Sequence, residues 1–399
     1  MHLDEAVVVT GTIVLLLAIV LLAVGGLFVR AEYLAPWDPE YAARFTDRRL
    51  RLAAHGMLAP SGHNMQPWIV RLDEDADVFF LSADAGRLTP AVDPPSRQTM
   101  VSQGTFLEYL RVAAVHLGLG FSCELFPLGR YDEKRLAESM ASLPVARITL
   151  SGMPPDETED YDSIHRSSTN RGPYGSARLG PDQITVLTGI TAGLSAEVEI
   201  VDRPEDLAAL GRLTVDGTAV EAHYPEALRE WQTVFHANER AKNAARSGFA
   251  VEGQGTSGFM KYLLQGMITL APALNGDAAT GRRNVSMATT AAEHTPAYCI
   301  VRTAGNSRVE QIEAGMLYAR LSLRARTLGL VVQPVSQVLQ EYPSMSALYA
   351  IVHDEFARDG QTIQMLVRLG SPTADYPPTM RRDVLDILVP ELPDGTLGR

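Results

Sequence analysis

An uncharged apolar run of 23 residues near the amino terminus, Val7 to Val29, most constrains how this chain can fold. As an α-helix it would span roughly 34 Å, enough to cross a hydrocarbon core of roughly 30 Å. A cleaved signal peptide fits less well, because Asp4 and Glu5 precede the run without any Lys or Arg, and the run is long for such a peptide. A buried core helix is disfavoured because no polar face interrupts the run. The sequence therefore predicts one transmembrane helix over residues 7–29.

The flanks of this run predict its orientation. Five arginines lie on its carboxyl side: Arg30, Arg44, Arg48, Arg49 and Arg51. By the positive-inside rule, we expect a single-pass protein of the cell membrane whose large domain is cytoplasmic. The Pro-containing segment 30–40 is predicted to be a linker. Tyr33, Trp37 and Tyr41 are expected at the membrane interface.

Composition excludes several classes of function. The formal net charge of −12 disfavours nucleic acid as a partner, since phosphate neutralisation needs clustered Lys and Arg. Cys123 and Cys299 lie in apolar runs and are expected to be buried. The chain has no Cys-x-x-Cys and no His-Glu-x-x-His motif, so we predict no metal site. The Gly-x-Gly-x-x-Gly pattern at 253–258 follows no predicted strand, which favours a loop over a dinucleotide-binding turn.

The second half of the chain repeats part of the first at an offset of 211 residues. Arg97, Gly104, Leu110, Ala114, Leu117, Gly118 and Leu119 match Arg308, Gly315, Leu321, Ala325, Leu328, Gly329 and Leu330. Chance similarity of two helices that end in Gly is the alternative, because Gly is a common helix stop. The shared register favours duplication, with halves at 41–155 and 160–399. Residues 241–293, rich in small and polar residues, are predicted to be a lid insertion, with a plain surface helix as the alternative.

Hydrophobic periodicity gives the elements of each half. The sequence predicts a helix at 103–119 and strands at 68–72, 78–81, 145–150, 295–302 and 364–369.

Two polar segments are candidate binding sites. The turn at 59–68 offers Pro60, Ser61, Asn64 and Gln66, uncharged groups that suit the edge of a heteroaromatic ring. It could equally be a turn that satisfies its own backbone. The segment 165–174 sets Ser167, Ser168 and Thr169 between Arg166 and Arg171, just before a helical pattern. Cations, hydroxyls and a helix start suit a phosphate monoester, although surface turns of this composition are common.

Taken together, these segments resemble the nitroreductase superfamily, and more closely its Acg-like branch, in which two nitroreductase-type halves are fused. The segments that carry the resemblance are 59–68, 93–98, 166–174, 313–320, 333–337 and 366–382. It covers roughly residues 41–389. It implies an α+β, nitroreductase-like fold of two fused units, each with a mixed β-sheet flanked by helices, and FMN between the units.

The resemblance also implies residue roles. Arg166, Ser168 and Arg171 would hold the phosphate, with Arg382 or Arg381 closing the site from the carboxyl end. Pro60, Ser61, Asn64 and Gln66 would touch the flavin. The backbone at Val335 and Ser336 would donate a hydrogen bond near flavin N5. The first half has no Arg-Ser-x-Arg segment of its own, so one FMN per chain is expected.

The function implied is an FMN-dependent NAD(P)H oxidoreductase that reduces an electron-poor acceptor, such as a nitroaromatic or a quinone, by hydride transfer. The cofactor supplies that chemistry, so no catalytic side chain is expected. A membrane quinone is an alternative electron donor. Two other functions stay open: a non-catalytic FMN-sequestering protein whose flavin is covered by the lid, and a membrane-tethered scaffold without flavin. As an internal pseudo-dimer, the chain is expected to be a monomer.

Overall fold

The computed structural model describes residues 2–154, 159–166, 169–358 and 360–389, and the side chains of all of these from residue 7 onward except that of Glu159. The first part of the chain forms an apolar helix and a sheet with three helices. These elements are α1 (His2–Gly25), α2 (Arg48–Gly56), β1 (Trp68–Leu72), β2 (Val78–Ala83), α3 (Arg97–His116), β3 (Leu119–Leu125), α4 (Leu136–Ser142) and β4 (Ala146–Gly152).

The second part carries a second sheet and more helices. Its elements are α5 (Glu159–Ile164), α6 (Pro181–Thr188), β5 (Glu197–Val201), α7 (Pro204–Glu221), α8 (Pro225–Thr233), α9 (Glu239–Ala245), α10 (Gly258–Leu270), α11 (Asp277–Glu293), β6 (Ala297–Thr303), α12 (Arg308–Thr327), β7 (Val331–Pro334), α13 (Ser346–Phe356), β8 (Thr362–Gly370) and β9 (Leu388–Val389). The predicted strands are all present, within a few residues of their expected ends.

Two separate sheets confirm the predicted α+β architecture of two fused units. The first has the order β3-β4-β2-β1-β9 and the second has the order β5-β6-β8-β7. The first sheet is mixed, because β9 pairs parallel with β1 while its other neighbours pair antiparallel. Strands of the second sheet pair antiparallel, and Thr169 adds one parallel bridge to Val332 on β7.

The last described strand crosses between the halves. Val70 of β1 pairs with Leu388 of β9, so the carboxyl-terminal segment completes the first sheet. Residues 388–389, in the predicted second half, therefore belong to the sheet of the first half.

The two halves meet where α3 crosses α12, and both crossing points are glycines. A Cβ atom built on Gly104 would lie 1.9 Å from the Ile312 carbonyl oxygen, and one built on Gly315 would lie 2.0 Å from the Val101 carbonyl oxygen. Gly104 and Gly315 are 211 residues apart in the sequence, and so are their contact residues Val101 and Ile312, so each helix makes the same contact with the other. This reciprocity is the mark of a two-fold contact, here formed inside one chain. It agrees with the predicted duplication.

Both crossing helices end as the repeat predicts. Gly118 follows α3 with φ 70° and Gly329 follows α12 with φ 72°. Glycine is favoured here because it adopts the left-handed conformation without a steric penalty. The matched Leu-Gly-Leu segments are therefore helix stops that lead directly into β3 and β7.

The segment predicted as a linker is part of the folded domain. Residues Glu32–Trp37 form a 3₁₀ helix, and Tyr33, Trp37 and Tyr41 are all buried. Trp37 donates from Nε1 to the Thr379 carbonyl oxygen at 2.7 Å. The expectation that these aromatic residues face a membrane interface is wrong, because they pack on the core and on the carboxyl-terminal segment.

Helix α1 projects from the domain. Over Val7–Gly25 the mean hydropathy is 3.1 and only 6% of the residues are buried. The helix ends at Gly25, and Gly26 has φ 98°, so it stops before the predicted residue 29. By length and composition it could cross a membrane.

The predicted lid insertion, 241–293, is built into the domain. It contains most of α9, then α10 and α11. Lys242 is fully buried, with its Nζ 2.6 Å from both Glu239 Oε1 and Glu252 Oε1. A buried cation held by two carboxylates ties this segment to its surroundings, so removing it would leave unpaired buried charges.

We expect Gly315→Ala to destabilise the full chain by roughly 1–3 kcal/mol or more, because the new methyl group would press against the backbone of α3. The measurement is the free energy of unfolding from urea titration. Gly189→Ala is the matched control, since nothing lies within 4 Å of a Cβ there. Equal stability of the two variants would contradict the close helix crossing.

Candidate functional site

A cavity of about 320 Å³ lies between the two halves. This volume is at the lower end of the range for small-molecule sites, roughly 300–1,000 Å³. Both halves line it: the turn after α2 and the start of α3 from the first half, and α7, α8, α11 and the β7 end from the second. The predicted residues Pro60, Ser61, Asn64, Arg166, Arg171, Val335 and Ser336 all line this cavity.

The turn at 61–66 has an unusual backbone. His63, Asn64 and Gln66 have φ values of 49°, 53° and 52°, in the left-handed region that non-glycine residues rarely adopt. Side chains fix this shape: Ser61 Oγ accepts from Gln66 N at 2.9 Å, and Ser102 Oγ accepts from Gly62 N at 3.0 Å. Such strain is held where the surroundings over-determine it, which happens often at ligand sites.

Asn64 connects the turn to a buried arginine. Its Nδ2 donates to the Met380 carbonyl oxygen at 3.1 Å, and its Oδ1 accepts from Arg381 at 2.8 Å. Arg381 also donates to the Leu58 carbonyl oxygen at 3.0 Å, and its Nε has no partner among the described residues. Burial lowers the pKa of Arg381 to about 10, so it stays charged at neutral pH.

Two predicted residues lie away from the cavity. Gln66 is fully buried, and its Oε1 accepts from Arg382 N at 2.8 Å while its Nε2 donates to the Arg246 carbonyl oxygen at 2.8 Å. Arg382 donates to the carbonyl oxygens of Gln66 and Asp386, both at 2.9 Å. Their polar groups are engaged within the protein, so they support the turn and the carboxyl-terminal segment from behind. Of the two candidate arginines, Arg381 is the one that lines the cavity.

Arg171 and Arg166 reach the cavity from the second half. Arg171 donates to the Gly253 carbonyl oxygen at 3.2 Å, and burial lowers its pKa. Arg166 is exposed. Ser168 lies outside the described residues. The next helix after this segment is α6, which begins at Pro181, so the predicted helix start beside the arginines is absent.

Arg171 and Arg381 share one property. No carboxylate of the described residues lies within 4 Å of either guanidinium, whereas Arg97 on the same cavity is paired with Glu341 at 3.0 Å. Burial of a charge without a partner is costly, so two such cations at one cavity favour an anionic ligand there. His63 does not add to this charge, because burial and the nearby Arg171 lower its pKa to about 4.

At the end of β7, only one of the two predicted backbone donors is free to serve a ligand. Val335 N donates to the Leu366 carbonyl oxygen at 2.9 Å and is therefore occupied. Ser336 begins a 3₁₀ helix, Ser336–Leu339, whose first N–H groups have no acceptor within the helix. Ser336 N–H is thus the better candidate donor.

The opposite wall of the cavity is mostly apolar and was not predicted. Ala222, Leu228, Trp231, Met287 and Ala291 line it from α7, α8 and α11. Gly253 and Gln254 also line it, so the Gly-x-Gly-x-x-Gly segment forms part of the cavity wall as a short 3₁₀ turn. The predicted lid over 241–293 includes Met287, Ala291 and the Gly-x-Gly-x-x-Gly segment. Ala222, Leu228 and Trp231 lie outside it and carry no recognisable motif.

Two acidic residues line the cavity, Glu221 at the carboxyl end of α7 and Glu252, which is paired with Lys242. The Oε2 atom of Glu221 has no hydrogen-bond partner among the described residues. The pKa of Glu221 is raised to about 7, mainly by burial; a hydrogen bond with Gln340 opposes this rise and the nearby Glu230 contributes to it. From the sequence, Glu221 resembles any acid on a helix surface.

No family model matches the chain. Curated relatives are nevertheless similar over most of its length. A "Putative NAD(P)H nitroreductase acg" of Mycobacterium tuberculosis is 25% identical over 340 residues, which cover 82% of this chain and 91% of the relative. A "Probable NAD(P)H nitroreductase PigM" of a Serratia strain is 25% identical over 316 residues, covering 76% and 85%. The predicted resemblance to Acg-like nitroreductases is confirmed.

Solved structures show a fainter likeness. An FMN-bound nitroreductase from Desulfitobacterium hafniense is 11% identical with a TM-score of 0.32, over 57% of this chain and 96% of that chain. A BluB-like flavoprotein from Clostridium difficile is 11% identical with a TM-score of 0.34, over 58% and 98%.

The shifted pKa of Glu221 predicts a pH dependence of stability. The carboxyl group titrates near 4.5 in the unfolded chain and near 7 in the folded chain. The folded state therefore binds more protons, and the free energy of unfolding falls as the pH rises through this window. Glu221→Gln should become more stable relative to the native protein from pH 4.5 to 7 and keep that gain above pH 7.

Unfolding free energies measured at several pH values test this expectation. Glu205→Gln, an exposed position on the same helix, is the matched control and should show no such trend. A pH-independent difference between Glu221→Gln and the native protein would contradict the buried carboxyl.

Proposed function

We propose that this chain, which is similar to the Acg-like branch of the nitroreductase superfamily, is an FMN-dependent oxidoreductase that uses NAD(P)H to reduce an electron-poor acceptor such as a nitroaromatic or a quinone. The observation that carries the proposal is the pair of the half-buried Arg171 and the buried Arg381, which line one cavity and are not paired with a carboxylate of the described residues. The names of the curated relatives support the same activity.

The donor set fits FMN better than a neutral ligand. Arg171 and the exposed Arg166 offer positive charge to a phosphate, with the hydroxyl of Thr169 on the same cavity. Arginine suits this role because its fork matches the oxygens of a phosphate group. Ser61, on the strained turn, offers its hydroxyl group to the edge of a ring. The Asn64 amide is engaged by Gly248, Met380 and Arg381, so its contact with the flavin is proposed on the resemblance alone. Ser168 is proposed as a further phosphate ligand on the resemblance alone.

When bound, FMN would supply the hydride chemistry, since such transfers are carried out by the flavin itself. The residues of the chain bind and orient it. Asn64 holds the turn against Arg381, and Ser336 N–H offers a hydrogen bond from the other wall. The apolar wall at Leu228, Trp231 and Met287 would exclude water from the acceptor.

A second function, FMN sequestration without turnover, is favoured by one observation. The segment 241–293 contributes Gly248–Gln254 and part of α11 to the cavity wall, so it covers the site from one side. Its buried Lys242 makes deletion unsuitable as a test. The two functions differ instead in whether the FMN-loaded full chain oxidises NADH or NADPH with a quinone or nitroaromatic present.

The large domain is proposed to lie on the cytoplasmic side of the membrane, with α1 as its single span. The five arginines that follow the apolar run support this. In right-side-out cells, the domain should resist added protease until the membrane is permeabilised. Cleavage of the domain in intact cells would reverse the proposed orientation.

Arg171→Ala should weaken FMN binding by roughly tenfold or more, since a charge-assisted hydrogen bond contributes about 1.5–3 kcal/mol. Riboflavin lacks the phosphate, so its affinity should change little. Both affinities are measured by flavin fluorescence titration of the detergent-solubilised full chain.

Arg178→Ala, at an exposed position near the same segment, is the matched control and should bind both flavins like the native protein. Equal losses for FMN and riboflavin in Arg171→Ala would contradict the phosphate assignment. A native chain that binds neither flavin would refute the oxidoreductase proposal.

A further inference from the structure

The surface of α10 is reversed in polarity compared with an ordinary surface helix. Its outward side chains are apolar: Phe259, Met260, Met267 and Leu270 are 56%, 58%, 36% and 56% exposed, and Leu274, just beyond the helix, is 55% exposed. Lys261 is the only charged residue in α10. Single exposed apolar residues are normal, but a continuous face of them marks an interaction site.

The polar side chains of α10 point inward instead. Lys261 Nζ lies 2.9 Å from Glu239 Oε1, and Thr269 Oγ1 accepts from Asn238 Nδ2 at 3.2 Å. Between them, Gln265 is fully buried, and with its amide oriented to suit its neighbours it accepts from Lys242 Nζ and donates to the Gly25 carbonyl oxygen, both at 2.7 Å. The three residues are spaced four apart and therefore share one face.

Charged groups beneath this face are mutually compensated. Glu239 and Glu252 both contact Lys242, and Tyr33 donates to Glu239 at 2.9 Å. The two carboxylates, Glu239 and Glu252, thus balance the two ammonium groups of Lys242 and Lys261. A helix with polar groups inside and apolar groups outside is suited to a hydrocarbon surrounding, since water would favour the opposite arrangement.

The apolar face of α10 is continuous with α1. A Cβ atom on Gly25 would lie 2.0 Å from the Tyr262 carbonyl oxygen, and one on Gly266 would lie 2.1 Å from the Leu21 carbonyl oxygen. The two contacts are one turn apart and in opposite chain order, so the helices run antiparallel here with their backbones touching. Small residues at such crossings are typical of helices that pack within membranes.

The position of this contact along α1 indicates how deep α10 would lie in the bilayer. With Val7–Gly25 placed across a bilayer, as proposed above, its 19 residues span about 28 Å, close to the thickness of the hydrocarbon core. Leu21 and Gly25 then lie near its edge, on the side of the folded domain. Because α10 runs antiparallel to α1 from Tyr262 to Gly266, its Leu270 end points toward the bilayer interior.

We propose that α10 is a second membrane-contacting element, whose outward face from Phe259 to Leu274 is covered by lipid acyl chains of the domain-side leaflet beside α1. Contact with lipid explains why this face lacks charge and why its polar residues are satisfied inside. The proposal does not rest on flavin binding, and its test does not involve flavin.

The test uses single cysteines at Met260, Met267 and Leu270 in the full chain, with Cys123 replaced by Ala because it is partly exposed. Each cysteine carries a bimane label, and the protein is reconstituted into phosphatidylcholine–phosphatidylglycerol vesicles. We expect loss of bimane fluorescence with nitroxide-labelled lipids, little loss with iodide in water, and a blue-shifted emission. Val186→Cys on α6, 38% exposed, is the matched control and should respond to iodide only.

Quenching of the three labels by iodide, and not by lipid nitroxide, would refute the proposal. Protection from both quenchers, together with cross-linking between chains, would overturn it in favour of a second copy as the occupant. Charge substitution gives an independent measurement: Leu270→Glu should lower the Tm of the vesicle-bound chain more than Val186→Glu, because a carboxylate is costly in hydrocarbon. Equal Tm losses would contradict lipid contact.

Discussion

The backbone contact between α3 and α12 fixes the arrangement of everything else in the domain. Gly104 and Gly315 let the two helices touch, and a side chain at either position would separate them. Arg97 and Arg308 strengthen the junction reciprocally: Arg97 donates to the Leu339 carbonyl oxygen and Arg308 to the Pro95 carbonyl oxygen, both at 2.7 Å. With the halves held in this way, the two sheets lie apart and the cavity opens between the halves, where neither could form it alone.

The arginines that line this cavity differ in whether a carboxylate compensates their charge. Arg97 is buried and pairs with Glu341 at 3.0 Å. The guanidinium groups of Arg381 and Arg171 instead donate mainly to carbonyl and amide oxygens. These oxygens accept hydrogen bonds but do not neutralise the positive charge. An anionic ligand in the cavity would lower the cost of placing such charges there. The strained turn at His63–Gln66 supports the same interpretation, since its conformation is fixed by contacts with both halves.

Much of the arrangement of helices and strands could be predicted from the sequence, because it depends on patterns among residues that are close together in the chain. The Leu-Gly-Leu helix stops, the strand at Trp68–Leu72 and the 211-residue repeat follow from periodicity and glycine chemistry. The roles of residues that depend on which way a side chain points could not be predicted. Arg381 and Arg382 are neighbours, and only the path of the backbone decides which one faces the cavity. The linker aromatics and Glu221 were missed for a related reason: their burial is created by segments distant in the chain, and it leaves no local pattern.

The internal two-fold contact has an evolutionary consequence. In a homodimer, a substitution beside the two-fold axis is introduced on both sides at once, so both sites must tolerate it. In this chain each position is encoded separately, and the two sides can diverge while the helix crossing stays symmetric. The divergence is visible at the crossing itself, where buried Arg97 and its counterpart Arg308, which pairs with the exposed Glu133, now serve different partners. A duplicated frame thus lets each half contribute different residues to the one cavity that lies between them.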